Sequence, residues 1–380
     1  MFVFERGRGD IYLGTPGANE FALNAHHLVR RFNGTVYPTK DRSVVVKLTD
    51  RDGAVGWGET YGLVAPKAVA AIVDDLLGPY LKTLAPSTPD TAWDALYDLQ
   101  RVRGYWGGYL ADTLAALDIA LWDLYARARG ESLQAALGRA GAGALPAYVS
   151  GLPLKTTAER VDLAARWKDR GFDCLKLPLS ATEDGDAPRE FAALRDRLGD
   201  DHKIALDVHW TKDVAGMLAL DRDLAPYDPW FLEAPVKPED IAAQVEIARA
   251  VKAPMALGEE WRTEWDYIPR AGACTIVQPE MGHTGVTQFM RIARRAEAIS
   301  SRIMPHATIG LGIFMSASLR AAHAAGAESH EYQHTIYDRN AELLDGAAPC
   351  ANGAFQIPDT PGHGVVPNAD GLAHLTELKL

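Results

Sequence analysis

Cysteine is scarce in this chain of 380 residues: Cys174, Cys274 and Cys350 stand far apart and form no CxxC pair. An odd count without close spacing excludes a disulfide framework and a zinc finger. No apolar run reaches the length of a membrane span. The opening MFVFERGRGD sets Glu5 and Arg6 where a signal peptide needs unbroken apolar residues, so the cytoplasm is the expected compartment. Positive charge is in deficit too. Thirty-nine Lys and Arg against 50 Asp and Glu give a formal net charge of -11, which disfavours nucleic acid and anionic membranes as partners. No Gly-rich phosphate fingerprint follows a first strand, which argues against an open dinucleotide-binding sheet.

What is present is a 47% hydrophobic composition, enough for one large core or two unequal ones. From about residue 145, short β-branched runs alternate with segments of helical period. The spacing predicts strands at 146–151, 173–177, 203–208, 230–233, 255–258, 274–278, 302–305 and 328–332, with helices such as 157–170, 239–251 and 285–299 between them. Eight strand–helix units over about 200 residues are what a (β/α)8 TIM-like barrel requires. Before it, residues 1–144 read as an α+β domain. It has a hairpin turning at Asp52-Gly53 and helices at about 66–83 and 110–129. The barrel spans 145–350, and residues 351–380 turn irregular and return to the first domain.

Barrels place their chemistry at the C-terminal strand ends. Asp207, Glu233 and Glu259 close the third, fourth and fifth strands, 26 residues apart. A lone acid at such a place is usually a solvated group at a helix N-terminus. Three on adjacent strands converge and repel, and their joint ionisation calls for a cation; oxygen-only ligation suits Mg²⁺. Glu260 is expected on the opposite face of its strand. Lys176, Gln278, Glu280, His306 and Glu331 end or follow other strands. Within ALDVHW, strand alternation aims Asp207 and His209 the same way. The other histidines are expected to be structural.

These motifs together resemble the enolase superfamily, in its mandelate racemase-like subgroup. They are GWGE at 56–59 and ALDIALWDL at 116–124, then DVHW, FLEAP, LGEE, VQPE and MPH in order. The likeness covers nearly the whole chain except residues 1–25, and it makes residues 1–144 a capping domain. It implies metal-assisted removal of the proton α to a carboxylate, giving an enediolate. Asp207, Glu233 and Glu259 would bind Mg²⁺, and His306 would be the base, oriented by the sixth-strand acid. Glu331 would hydrogen-bond the substrate carboxylate, with Lys176 beside it. The family's sixth-strand acid is usually aspartate; here it is Glu280, one methylene longer.

The resemblance also narrows the reaction. Racemases carry Lys-x-Lys on the second strand, whereas this chain reads Lys176-Leu177-Pro178, and proline transfers no proton. The sixth-strand lysine of muconate cycloisomerases is absent as well. His209 matches the DFH of galactonate dehydratase and its sugar-acid relatives, where it would protonate a departing 3-hydroxyl. The expected activity is dehydration of an aldonate or aldarate to a 2-keto-3-deoxy acid. The alternatives are a racemase, epimerase or lactone cycloisomerase on the same site, and a catalytically silent barrel.

In this family cap loops set specificity. Here these are residues 14–40, with His26, His27, Arg30 and Arg31, and 60–66. Arg30, His26 and Trp210 are the candidate substrate contacts. RVRGYWGGYL at 101–110 is expected to pack at the domain interface. A small-molecule acid sugar is the expected partner, and a homo-oligomer the expected assembly.

Overall fold

The computed structural model describes residues 1–7, 20–31, 34–85, 87–179 and 186–378. The predicted hairpin pairs Lys40–Thr49 with Val55–Tyr61, from Ser43 opposite Tyr61 to Thr49 opposite Val55. Asp50 Oδ1 accepts from the Asp52 and Ala54 amides and closes the turn. Phe2–Gly7 joins the open edge of this hairpin, and Leu375–Glu377 pairs with Phe2–Gly7 in turn. The tail therefore ends in the first domain's sheet. Glu20–Asn24, His27–Arg30 and Val36–Pro38 form a separate three-stranded sheet. Most of the atypical segment 1–25, residues 8–19, lies outside the described residues.

GWGE is explained by a helix. Gly108–Ala128 lies so close to the hairpin that a Cβ on Gly56 would sit 2.2 Å from the Ala120 carbonyl oxygen, and one on Gly58 would sit 1.9 Å from that of Ala116. Only glycine permits that approach. Glu59, fully buried, reaches the barrel instead. It accepts from the Ser43 hydroxyl and from the amides of Leu311, Gly312, Ile313 and Phe314, at the N-terminus of helix Ile313–Ala324. Burial pushes its carboxyl up, and the Ser43, Leu311, Phe314 and Gly312 donors oppose the rise. Glu59→Gln turns an amide NH2 toward backbone donors and is expected to cost about 2–3 kcal/mol, read as a lower urea midpoint at unchanged slope. An unchanged midpoint would mean that this contact does not hold the two domains together.

The barrel strands are Gly143–Ser150, Cys174–Pro178, Lys203–Asp207, Leu232–Glu233, Met255–Leu257, Ile276–Val277, Arg302–Ile303 and His330–Tyr332. All are parallel, each pairing with the next up to the seventh, and the eighth pairs with the first. The Glu328 and Glu331 amides donate to the Ile303 and Pro305 carbonyls and close the ring. Tyr148, Ala205, Phe231, Ala256, Ile276 and Met304 cluster together, fully buried. They come from six different strands or strand ends, so the interior is packed and not a pore. After the barrel, Ala354–Ile357 runs antiparallel to Gly143–Pro146.

The 101–110 stretch departs from expectation. Val102 is 94% exposed, and Tyr105, Trp106 and Tyr109 are also exposed. Gly104 and Gly108, with positive φ, turn the chain outward between two helices. The Tyr109 hydroxyl reaches back to the Val64 carbonyl, and Leu110 packs into the core of the first domain. No helix among the described residues is long and apolar enough to cross a membrane.

Candidate active site

The strand ends converge as the spacing requires. Asp207 and Glu233 are direct register partners on neighbouring strands. Glu259 follows one turn beyond Leu257, where Gly258 takes φ 131° to let the chain leave the sheet. Ligand atoms of Glu233, Glu259 and His306 all lie within 4.8 Å of one another. Asp207 stands outside this closest trio because its oxygens face His209: Oδ1 accepts from the His209 amide at 2.9 Å, and Oδ2 lies 3.0 Å from Nε2.

Asp207 and His209 meet for a reason other than strand alternation. The strand stops at Asp207, and His209 and Trp210 take φ of 52° and 55°. A left-handed turn folds the imidazole back on the carboxylate. Non-glycine residues in that region are uncommon and mark sites held by their surroundings. Here the Val208 amide donates to the Glu233 carbonyl and the Trp210 amide to that of Ala234. Burial would raise the Asp207 carboxyl, but His209 and then Lys176 hold it down at about 2.

Lys176, 4% exposed, lies between two acids, its Nζ 2.7 Å from Glu233 Oε1 and 3.0 Å from Glu331 Oε1. Burial opposes its charge, and the two carboxylates overcome that and push it well above the usual lysine range. Glu233 Oε2 accepts from Gln278 Nε2 at 2.6 Å, which gives the sixth-strand glutamine a partner that no charge pattern announces.

His306 bridges the fifth and sixth strands. Its Nδ1 lies 2.8 Å from Glu280 Oε2, and its Nε2 lies 3.4 Å from Glu259 and 3.8 Å from Glu331. The extra methylene of Glu280 does not prevent the pairing, because the Gly282 and Thr308 amides grip both carboxylate oxygens from opposite sides. With Nδ1 bound to a carboxylate, Nε2 is the nitrogen left to exchange protons. Burial would lower the imidazole, yet Glu259, Glu331 and Glu280 push it well above its ordinary range.

Five carboxylates, from Asp207, Glu233, Glu259, Glu280 and Glu331, thus face one lysine and two histidines. Burial pushes Glu259 well above the usual range, and Asp207 and Glu233 add to the rise despite His306. The negative charge exceeds what the side chains offset, and Asp207, Glu233 and Glu259 offer oxygens alone. That donor set fits a hard divalent cation.

The other predicted residues are placed differently. Glu260 is half-buried beside Arg270 and Asp266, away from the trio. Arg30 is engaged within its own sheet, by Glu20 at 2.9 Å and the Tyr37 ring at 4.4 Å. His26 is exposed on that sheet, and His27 Nε2 reaches the Leu63 carbonyl. Tyr61, within the cap stretch 60–66, ends the hairpin and faces Thr308, and Glu280 and Glu259 raise it further than burial alone.

Residues 159–371 match the family described as enolase C-terminal domain-like, and residues 32–138 match the mandelate racemase / muconate lactonizing enzyme N-terminal domain. The chain belongs to the enolase superfamily. Among superfamily relatives, the 3,6-anhydro-alpha-L-galactonate cycloisomerase of Streptomyces coelicolor is 30% identical over 87% of this chain and 91% of its own length. D-galactonate dehydratase of Xanthomonas campestris pv. campestris is 29% identical over 90% of this chain and 93% of its own length. A crystal structure of an enolase superfamily member from Agrobacterium tumefaciens superposes with a TM-score of 0.95 at 44% identity, covering 99% of this chain and 97% of that one.

Proposed function

We propose that this superfamily member is a Mg²⁺-dependent dehydratase of sugar acids, an aldonate or aldarate. The observation that carries the reading is the pair of imidazoles at one cluster of acids: His306, held by Glu280 at 2.8 Å, and His209, held by Asp207 at 3.0 Å. β-Elimination needs two proton handlers, one to take the α proton and one to give a proton to the leaving hydroxyl.

Asp207, Glu233 and Glu259 would hold Mg²⁺, with the His209 contact at Asp207 yielding one oxygen. Bound there, the ion would supply positive charge against the charge developing on the substrate carboxylate and against the acids that surround His306. Lys176 and Glu331 orient the substrate carboxylate. His306 Nε2 takes the proton from C2; the C3–O bond breaks, and His209 protonates the departing oxygen to water. The resulting enol tautomerises to a 2-keto-3-deoxy acid. Names among the relatives support sugar-acid chemistry in general, and a cycloisomerase among them favours a second reading, opening of a lactone or anhydro ring with His209 a bystander.

The test is a screen of aldonates, aldarates and their lactones with Mg²⁺, read by semicarbazide for keto acid and by deuterium uptake at C2. Keto acid from open-chain acids supports dehydration; product from lactones alone moves the assignment to cycloisomerisation. His209→Asn is expected to lower keto-acid formation by about 10²–10⁴-fold while deuterium still enters C2. Loss of both signals together would remove His209 from the role of acid. Mg²⁺ at 100 times its Kd is expected to stabilise the fold by about 2.7 kcal/mol, visible as a higher Tm that Glu233→Gln abolishes. A Tm indifferent to Mg²⁺ would count against the metal site.

A further inference from the structure

One cap carboxylate reaches both barrel loops that flank His306. Asp112 lies on helix Gly108–Ala128 and is 5% exposed. Its Oδ1 accepts from Arg262 Nε at 3.0 Å and lies 2.7 Å from His283 Nδ1. Burial would raise Asp112, but His283 and Arg262 hold it below the usual carboxylate range. Arg262 sits three residues beyond Glu259, and its Nη1 also donates to the Glu260 carbonyl. His283 sits three residues beyond Glu280. Arg262 is thus tied to the loop bearing one carboxylate neighbour of His306, and His283 to the helix start bearing the other.

A second layer connects His283 to Glu280. The His283 ring stacks on Tyr61 with centroids 3.9 Å apart and planes 11° apart. The tyrosine also covers Gly282, where an added Cβ would lie 2.8 Å from the ring. The Thr60 hydroxyl donates to the Gly282 carbonyl at 2.6 Å. Tyr61 faces the Thr308 side chain, and the Gly282 and Thr308 amides are the two donors that grip Glu280.

We propose that Asp112 is a positioning residue: through Arg262 and His283 it sets the separation of Glu259 and Glu280, and so the orientation of His306. The inference rests on the reading of His306 as the proton acceptor. A displacement of about 1 Å at such a group costs roughly 10²-fold in rate, whereas Lys176 and Glu331, which orient the substrate carboxylate, stay in place and KM is little changed.

The test compares Asp112→Asn with Asp123→Asn. Asp123 is a buried carboxylate farther along the same helix that holds the Trp57 and His363 amides and faces no catalytic group. Asp112→Asn is expected to lower kcat for α-proton exchange by about 30- to 100-fold with KM within about threefold. Asp123→Asn is expected to lower Tm at least as much while kcat at 25 °C stays within about threefold of wild type. His283→Phe, which keeps a ring over Tyr61 and loses the bond to Asp112, should reproduce the kcat loss and serves if Asp112→Asn does not fold. Crystal structures of the variants give a readout that needs no substrate: the 2.8 Å contact of His306 with Glu280, or its 3.4 Å contact with Glu259, should lengthen. Unchanged contacts with kcat within threefold, or equal kcat losses in Asp112→Asn and Asp123→Asn, overturn the proposal. If wild type exchanges no acid's proton yet the contacts lengthen, the sugar-acid reading fails and the positioning role stands.

Discussion

Replacing His306 with asparagine is expected to remove both deuterium exchange at C2 and keto-acid formation, by at least about 10³-fold. The expectation follows from placement. Nδ1 is committed to Glu280, and Nε2 is the nitrogen directed into the acid cluster, 3.4 Å from Glu259 and 3.8 Å from Glu331. An asparagine amide reproduces the donor to Glu280 but offers no basic nitrogen beyond it, so folding survives and proton transfer does not. Because exchange precedes elimination, this variant differs in kind from His209→Asn, which retains exchange. Substantial exchange in His306→Asn with an unchanged fold would assign the base to another group.

Lys176→Met is expected to lower both stability and turnover. The ammonium is enclosed between Glu233 and Glu331, each nearly fully buried. Methionine fills most of the same volume without charge and leaves two carboxylates facing one another. Breaking a buried pair by removing one partner costs about 3–5 kcal/mol, chiefly from the charge left unmatched. Urea unfolding measures this directly, and the loss should shrink at acidic pH, where the stranded acids bind protons. Bound Mg²⁺ should recover part of it, since a cation on Glu233 replaces some of the missing charge. A cost under about 1 kcal/mol would mean that solvent already shares this pocket.

Much of the barrel was legible because its signal is local. Each strand–helix unit spends a similar length of chain, so Asp207, Glu233 and Glu259 recur at 26 residues and fall on adjacent strands. Glycines in GWGE were legible as a motif but not as a cause, since the helix that demands them arrives some 60 residues later. The aromatic-rich turn at 101–110 misled: side chains of that type usually pack, and the outward direction came from the backbone at Gly104 and Gly108.

His209 marks the boundary between the two kinds of information. Its chemistry and nearness to Asp207 are written in the sequence, and period-two alternation reaches the correct pairing by the wrong geometry. The left-handed turn is held by the Val208 and Trp210 amides, which donate to the Glu233 and Ala234 carbonyls at the end of the next strand. The sequence by itself determined the barrel, the acids at its rim and the imidazoles among them, because periodicity and spacing are properties of one chain segment at a time. The tertiary structure alone decided that Gln278 braces Glu233, that Arg30 is spent on Glu20, and that Asp112 joins Arg262 to His283. Those contacts link residues from 10 to 171 positions apart; the first two become defined when the barrel and the small sheet each form, and the last only once the two domains have closed on each other.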